Sequence, residues 1–406
     1  MQMQNISFDD AKEQVLANVR ALPARREDLS ECLGLVLAED VIARENIPLC
    51  TNSAMDGFAV IAADTIDASP DHPVALKVLE TIEAGDVPTR RVEPGACSRI
   101  MTGAIMPEGA DAVVRVEDTN ASGDSVTIFA SVRPARDVRL AGEDIAEGET
   151  ALTAGTELRP YEIGLLAAVG ACDPLVVPRP RVAVLASGSE LVPVSASLSP
   201  GKVRNSNGPA ILAQCLAVGA VPVDFGIIQD TDQATEQALE KAVETCDVVV
   251  TSGAVSMGEK DRIRPTIERL GEVIFWGVAM RPGKPVLFGG IRGKPFFGLP
   301  GNPASSMVTF ELFVRPALRK MMGHANLDYP VRQARSAETI VPKPGLTMFL
   351  RAVLESRDGE SWVRQSGPQG SGMHVPFARA NCLAVVSGDR PIAEGESVPV
   401  ILLGES

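Results

Sequence analysis

Five acids stand in short stretches rich in glycine or small residues, where the surrounding turn rather than a helix must hold the carboxylate: Asp56 in NSAMDG, Asp144 in GEDI, Glu190 in SGSEL, Asp230 in IIQD and Asp261 in GEKD. Hard oxygen ligands spread over several loops suit magnesium, which takes one or two carboxylates and completes its shell with phosphate oxygens and water. Asp261 closes TSGAVSMGEKD (Thr251–Asp261), in which the small residues Ser252, Gly253 and Ala254 follow an apolar run. Such a turn aims backbone N–H groups at an anion, as a phosphate loop does. It matches neither G-x-G-x-x-G nor the Walker pattern. In GGIRGKP (Gly289–Pro295), Pro295 stands where a Walker loop needs Ser or Thr to ligate magnesium. Dinucleotide and Walker chemistry are therefore excluded. A third feature is RPGKP (Arg281–Pro285) with GLPGNP (Gly298–Pro303), where prolines and glycines hold Arg281 and Lys284 in a stiff loop. Preorganised cations suit a small oxyanion, because little entropy is lost on binding. Taken singly, each feature also reads as a turn acid, a strand-end turn or a solvated surface charge.

The elements between these motifs predict where they meet. Ser7 is a candidate N-cap, with Asp10 completing a weak capping box, and Phe8, Ala11, Val15, Leu16 and Val19 define a buried helical face. From about Ile47 to Ile145, runs such as AVVRVED and SVTIFASV alternate with Gly/Pro turns, which predicts an inserted β-rich domain. Pro160 opens and Gly170 closes a further helix. From Arg181, RVAVLA, VPVDFGII and DVVVTSG read as strands, and GPAILAQCLAVGA and ATEQALEKAVE as helices. This β-α-β-α-β order predicts a parallel sheet with helices on both faces, and ligands beyond the carboxyl ends of its strands. That rule brings SGSE, QDTD and TSGAVSMGEKD to one edge. Asn302 is expected to cap a helix with Pro303 in its first turn, and Pro316 to kink or break it before Gly323. Beyond Pro330, FLRAVLES, SWVRQS, CLAVVS and SVPVILL predict a small β-domain of sandwich or barrel type.

Bulk properties narrow the partners. A chain of 406 residues calls for two to four domains. Its net charge of -14, with no Lys/Arg-rich run, argues against nucleic acid and anionic membranes as partners, so an anionic substrate needs a local pocket of amides and cations. The sequence has neither a bilayer-spanning apolar run nor a signal-peptide layout at its start. Seven scattered cysteines without a C-x-x-C pair read as reduced, mostly buried thiols of a cytoplasmic protein. The three isolated histidines argue against zinc.

NSAMDGFAV, RIMTGA, GEDI, SGSEL, TSGAVSMGEKD, RPGKP and GLPGNP occur in the order seen in the molybdopterin molybdenumtransferases. Over nearly its whole length the chain resembles that family, which includes bacterial MoeA and the E domains of relatives such as gephyrin. The resemblance implies a multidomain α/β fold: a three-layer α/β/α doubly wound domain, an inserted β-rich domain, a discontinuous helical domain and a C-terminal β-barrel-like domain. In this chain the implied segments are 1–46 plus 146–177 (linking and dimerisation), 47–145 (insertion), 178–328 (molybdopterin-binding α/β) and 329–406 (C-terminal β). It implies a homodimer with shared active sites. The implied reaction takes adenylylated molybdopterin and molybdate to the molybdenum cofactor, releasing AMP, with Mg2+. A molybdopterin adenylyltransferase and downstream molybdoenzyme chaperones are the implied partners.

Carried over by motif, Asp56, Thr102, Asp144, Glu190 and Lys284 resemble the family's catalytic positions, and Asp230 and Asp261 its metal–pyrophosphate residues. Ser187, Gly188, Ser252, Gly253, Ser256 and Gly258 correspond to the loops that hold the pterin. Arg281, Lys284 and Ser305 resemble the molybdate pocket, with Arg351 of FLR and Ser371 of QGS completing it, and Pro285, Pro300 and Asn302 are further cofactor-binding positions that the resemblance implies. The chain departs from the family in having Ser189 where T-G-D-E has its first acid, Ala254 for a glycine, Thr231 for the acid after Asp230, and Arg281 for a frequent lysine. Two other functions stay open: a non-catalytic scaffold like gephyrin's E domain, and the adenylyltransferase that shares the α/β domain and would require ATP.

Overall fold

The computed structural model describes residues 5–253 and 263–404. The chain forms two compact units, one of Met1–Arg25, Gly34–Val36 and Val176–Ser406, the other of Arg26–Leu33 and Leu37–Leu175.

The chain opens with α1 (Phe8–Ala17), where Ser7 accepts a hydrogen bond from the Asp10 amide at 3.1 Å as the N-cap. Phe8 packs against Phe313 and Phe349 at ring separations of 5.5 and 4.8 Å, anchoring α1 in the larger core.

The β-rich unit is built from β1 (Asn52–Ser53), β2 (Gly57–Val60), β3 (Val74–Ile82), β4 (Ala96–Ile100), β5 (Ala112–Arg115), β6 (Thr119–Ser122), β7 (Ser125–Ile128) and β8 (Val138–Arg139). Its main sheet runs β5-β2-β4-β3-β7-β6, and β1 pairs with β8 in a separate two-stranded ladder. The strands are shorter than the apolar pattern predicts. AVVR stops at Arg115, and Val116–Asp118 turn into a 3-10 helix. Helix α2 (Pro160–Ala168) belongs to this unit and gives way to Gly170 in the left-handed region, as predicted.

The larger unit carries β9 (Arg181–Ser187), α3 (Asn207–Val218), β10 (Val221–Ile228), α4 (Asp232–Thr245), β11 (Val248–Ser252), α5 (Ile263–Leu270), β12 (Gly271–Trp276), β13 (Leu287–Ile291) and β14 (Lys294–Leu299). The sheet order is β10-β9-β11-β14-β13-β12. Val182 and Val184 feed one core while Ala183 and Leu185 feed the other. The strand is thus covered on both faces, which is why its sequence is a continuous apolar run. Each Val or Leu side chain so withdrawn from water contributes on the order of 1.5–3 kcal/mol.

The sheet is mixed rather than all parallel. Strands β9, β10, β11 and β14 are parallel, whereas β13 runs antiparallel to both β14 and β12. The reversal is a tight hairpin with Arg292 and Gly293 both at positive φ, the backbone of a type I′ turn.

After β14 comes α6 (Pro303–Thr309), with Asn302 at the N-cap position but no side-chain capping bond. Pro316 does not break the helix. One π-helical turn, Phe310–Val314, runs directly into α7 (Arg315–Met321), where Pro316 sits in the first turn. The widened turn accommodates the missing N–H and the ring, and Gly323 follows at positive φ.

The C-terminal strands β15 (Val331–Ser336), β16 (Thr347–Arg357), β17 (Glu360–Gln365), β18 (Cys382–Val386) and β19 (Ser397–Leu402) pair in the order β16-β17-β15-β19-β18. Strand β18 pairs back onto β16, closing a barrel. Five of the seven cysteines are buried and all are free thiols; Cys50 and Cys172 are exposed. No described helix is long and apolar enough to cross a membrane.

Candidate active site

The carboxyl ends of the parallel strands open into a cleft of about 1010 Å³ within the larger unit. Ser187, Gly188 and Glu190 enter it after β9, Asp230 after β10, Ser252 and Gly253 after β11, and Pro300 and Asn302 after β14, with Pro285 beside them. The strand-end rule therefore located the cleft from sequence. Ser256, Gly258 and Asp261 lie outside the described residues.

Glycine is required where the strand ends meet. Gly253 has φ +91°, and a Cβ there would lie 2.2 Å from the Ser187 carbonyl oxygen. The two loops can approach this closely only because no side chain separates them. Asn207, at the start of α3, ties the wall together by donating from Nδ2 to Ser252 Oγ at 2.7 Å and to the Gly301 carbonyl at 2.8 Å. Its Oδ1 is buried and accepts no hydrogen bond among the described residues. A buried acceptor at the wall of a polar cleft suits an N–H donor on a ligand.

The second cluster surrounds the 281–285 loop. That loop is closed by backbone bonds from Gly277 N to Val286 O, Val278 N to Lys284 O and Val286 N to Gly283 O. Gly283, at φ +110°, packs so tightly that a Cβ would lie 2.4 Å from the Thr309 methyl of α6. Met280 and Arg281 pair in parallel with Thr347 and Met348 of β16, which sets Arg281 beside the strand that carries Arg351.

Arg351 is fully buried. Its guanidinium donates to Gln369 Oε1 at 3.2 Å, the Gly370 carbonyl at 3.2 Å and the Pro368 carbonyl at 3.4 Å. No carboxylate pairs with Arg351, Arg281 or Lys284 among the described residues. Burial, and then the neighbouring Arg281 charge, hold the Arg351 pKa below its ordinary value. Arg281, Gln369 and Met348–Leu350 share the wall of a small cavity of about 150 Å³. Two adjacent cations without a protein counter-ion leave an excess of positive charge, which suits an oxyanion. Ser305 is buried in the first turn of α6, and the Ser371 carbonyl accepts from the Ala304 amide at 2.9 Å, docking the QGS segment on that helix. Lys284 is exposed on the same loop.

Asp56, Thr102 and Asp144 belong to the other unit. Asp56 Oδ1 accepts from both the amide and the hydroxyl of Thr102 at 2.7 Å, and these two bonds hold its carboxyl below the usual range. Asp144 is exposed, and its amide donates to the Ile47 carbonyl at 3.0 Å.

Sequence reasoning missed Asn205, Ser206, Asn207 and His374, all of which line the cleft. The polar triplet before Gly208 was a usable signal, because three polar residues opening a helix after a strand crossover belong at the ligand edge. His374, whose Nε2 lies 3.3 Å from Ser206 Oγ, comes from the distant C-terminal region and carried no local signal.

Three region models match in sequence: the MoeA N-terminal region (domains I and II) at residues 6–170, a probable molybdopterin binding domain at 183–320, and the MoeA C-terminal region (domain IV) at 333–403. A Staphylococcus aureus protein named molybdopterin molybdenumtransferase is 35% identical over 98% of this chain and 95% of its own. Molybdopterin molybdenumtransferase 2 of Mycobacterium tuberculosis is 38% identical over 94% of this chain and 96% of its own. The crystal structure of a molybdopterin biosynthesis MoeA protein from Pyrococcus horikoshii is similar with a TM-score of 0.84 and 32% identity, covering 99% of this chain and 100% of that one. Consecutive region models and relatives matched along nearly the full length agree on one assignment: the chain belongs to the MoeA family of molybdopterin molybdenumtransferases.

Proposed function

We propose that this chain joins molybdate to the dithiolene of adenylylated molybdopterin, releasing AMP, in molybdenum cofactor biosynthesis. One observation carries the reading: Arg351 is a fully buried cation beside Arg281, with no carboxylate to neutralise either among the described residues. Arg281 lines a small cavity and Arg351 stands buried beside it, an excess of positive charge that suits a compact oxyanion such as molybdate. Arg281 holds the oxyanion, the buried Arg351 charge beside it favours the anion, and Lys284 adds an exposed cation on the same loop. The nucleotide and pterin take the larger cleft, where Asn207 Oδ1 offers an acceptor.

Magnesium fits the donor set. Glu190 and Asp230 bring two carboxylates to the wall of that cleft, the number magnesium takes alongside phosphate oxygens and water. Asp261 joins them in this reading. Held by these carboxylates, a magnesium ion would supply positive charge to the phosphate oxygens of the leaving AMP.

The reading extends to a cytoplasmic two-fold homodimer in which Asp56, Thr102 and Asp144 of one subunit serve the cleft of the other, and to the four-part division given above. A closed two-fold assembly allows such sharing. An adenylyltransferase before this step and molybdoenzyme chaperones after it are the proposed partners. The test is reconstitution. A cofactor-free molybdoenzyme should gain activity only when the chain, molybdate, magnesium and adenylylated molybdopterin are all supplied. Equal reconstitution without the chain would refute the enzyme reading and favour a scaffold.

A further inference from the structure

The loop that carries Asp56 is held at both ends by residues with no place in the reaction proposed above. At its entry, the Ala54 amide donates to the Asp137 carbonyl at 2.9 Å. At its exit, the Asp56 carbonyl accepts from the Val116 amide at 3.1 Å, and Gly57 lies opposite Arg115 in the β2–β5 register. The two anchors are bonded to each other. Arg115 Nε donates to Asp137 Oδ2 at 2.8 Å and its Nη2 to Asp137 Oδ1 at 2.9 Å, a two-toothed ion pair. Gly57 leaves no slack, because a Cβ there would lie 2.0 Å from the Val114 carbonyl oxygen.

The Thr102 loop hangs on the same frame. Ser53 exchanges backbone bonds with Gly103 (2.8 Å) and Ala104 (3.0 Å), and it pairs with Val138, the residue after Asp137. Asp137 itself sits at φ +54°, a conformation that among non-glycine residues Asn and Asp tolerate best. We infer that the Arg115–Asp137 pair is a positioning clamp that sets the Asp56 carboxylate and its Thr102 partner for the reaction, without touching substrate. The claim rests on the reading of Asp56 as a functional acid. The pair is only partly exposed, with side-chain exposures of 38% and 12%, so solvent screens it incompletely.

The test compares wild type, Asp56→Asn, Asp137→Asn, Arg115→Met and the combinations with Asp56→Asn, by AMP release from adenylylated molybdopterin with molybdate and magnesium. Asn keeps the left-handed backbone and the carbonyl at 137 but removes one arm of the pair. The clamp variants should lose ~10- to 100-fold in kcat with KM little changed, the size of effect that misplacing a reacting group produces. In the Asp56→Asn background they should cost nothing further, since they act through Asp56. A second readout is independent of turnover. Carboxyl 13C titration of Asp56 should move up toward 3.8 in the clamp variants, because loosening the loop weakens the Thr102 bonds. Arg115→Lys, which keeps the charge and loses the fork, replaces Arg115→Met if the latter melts early. Inactive Asp56→Asn with fully active clamp variants and an unmoved Asp56 titration overturns the clamp alone. Fully active Asp56→Asn overturns the reading of Asp56 on which it stands.

Discussion

Replacing Arg281 by Met separates a binding charge from a structural one. Arg281 has no ion pair among the described residues, and it depresses the pKa of Arg351 by proximity. Met keeps the apolar stem and deletes the charge, so the free protein loses a repulsion and no partner. Its melting temperature should therefore hold or rise. Arg351→Met differs, because it strips a donor from Gln369, Gly370 and Pro368 inside the barrel wall. It should lower the melting temperature, since it removes three part-buried hydrogen bonds from a charged donor, each worth about 1.5–3 kcal/mol. Toward molybdate the two should behave alike. A hydrogen bond to a charged group contributes about 1.5–3 kcal/mol, which converts to a rise of ~10- to 150-fold in the molybdate concentration needed for half-maximal AMP release. Thermal melts with and without molybdate report the same loss, because a ligand of the folded state stabilises it by mass action. An Arg281→Met protein with unchanged molybdate dependence would refute the assignment. So would one whose free form melts as early as Arg351→Met, because Arg281 would then be structural.

Further outcomes follow from the same geometry. Lys284→Ala should raise the molybdate requirement more than it weakens pterin binding, measured by saturation with each substrate; equal losses would show the loop meets both. Gly253→Ala should destabilise the protein and abolish turnover, since it places a methyl 2.2 Å from the Ser187 carbonyl at a φ of +91°. Asp56 is held below its ordinary pKa of 3.8 by Thr102, so its contribution to stability is present above that value and lost as pH falls through the lowered folded value. Thr102→Val should raise the Asp56 titration and shrink that pH-dependent contribution, as read by pH-dependent unfolding. Mixing Asp56→Asn and Glu190→Gln subunits should restore activity toward about a quarter of wild type if sites are shared across a two-fold axis; verified mixed dimers that stay inactive would exclude sharing.

Much of the α/β region was legible because glycines and prolines punctuate it at the strand and helix ends. The Gly219 C-cap, the Gly253 turn and the strand-end rule sufficed to place the cleft. The antiparallel edge was hidden by its turn. Arg292-Gly293 adopts the backbone that Asn-Gly or Asp-Gly advertises, so the β13–β14 hairpin carried no familiar signal. Arg351 shows a different limit. A cation within an apolar strand reads locally as a solvent-facing position, yet it is fully buried, because its acceptors come from Pro368–Gly370, later in the chain. Its candidate place in an oxyanion pocket reached the sequence reading only through family likeness. His374 and Ser206 meet from segments 168 residues apart, and no local pattern encodes such a pairing.

The central claim is tested most directly by incubating the purified chain with adenylylated molybdopterin and magnesium, with and without molybdate, and following AMP in the absence of ATP. The account predicts AMP release in step with loss of the adenylylated pterin, stimulated by molybdate and abolished in Arg351→Met. AMP release by Arg351→Met at the wild-type rate and molybdate dependence would contradict it, as would a strict requirement for ATP.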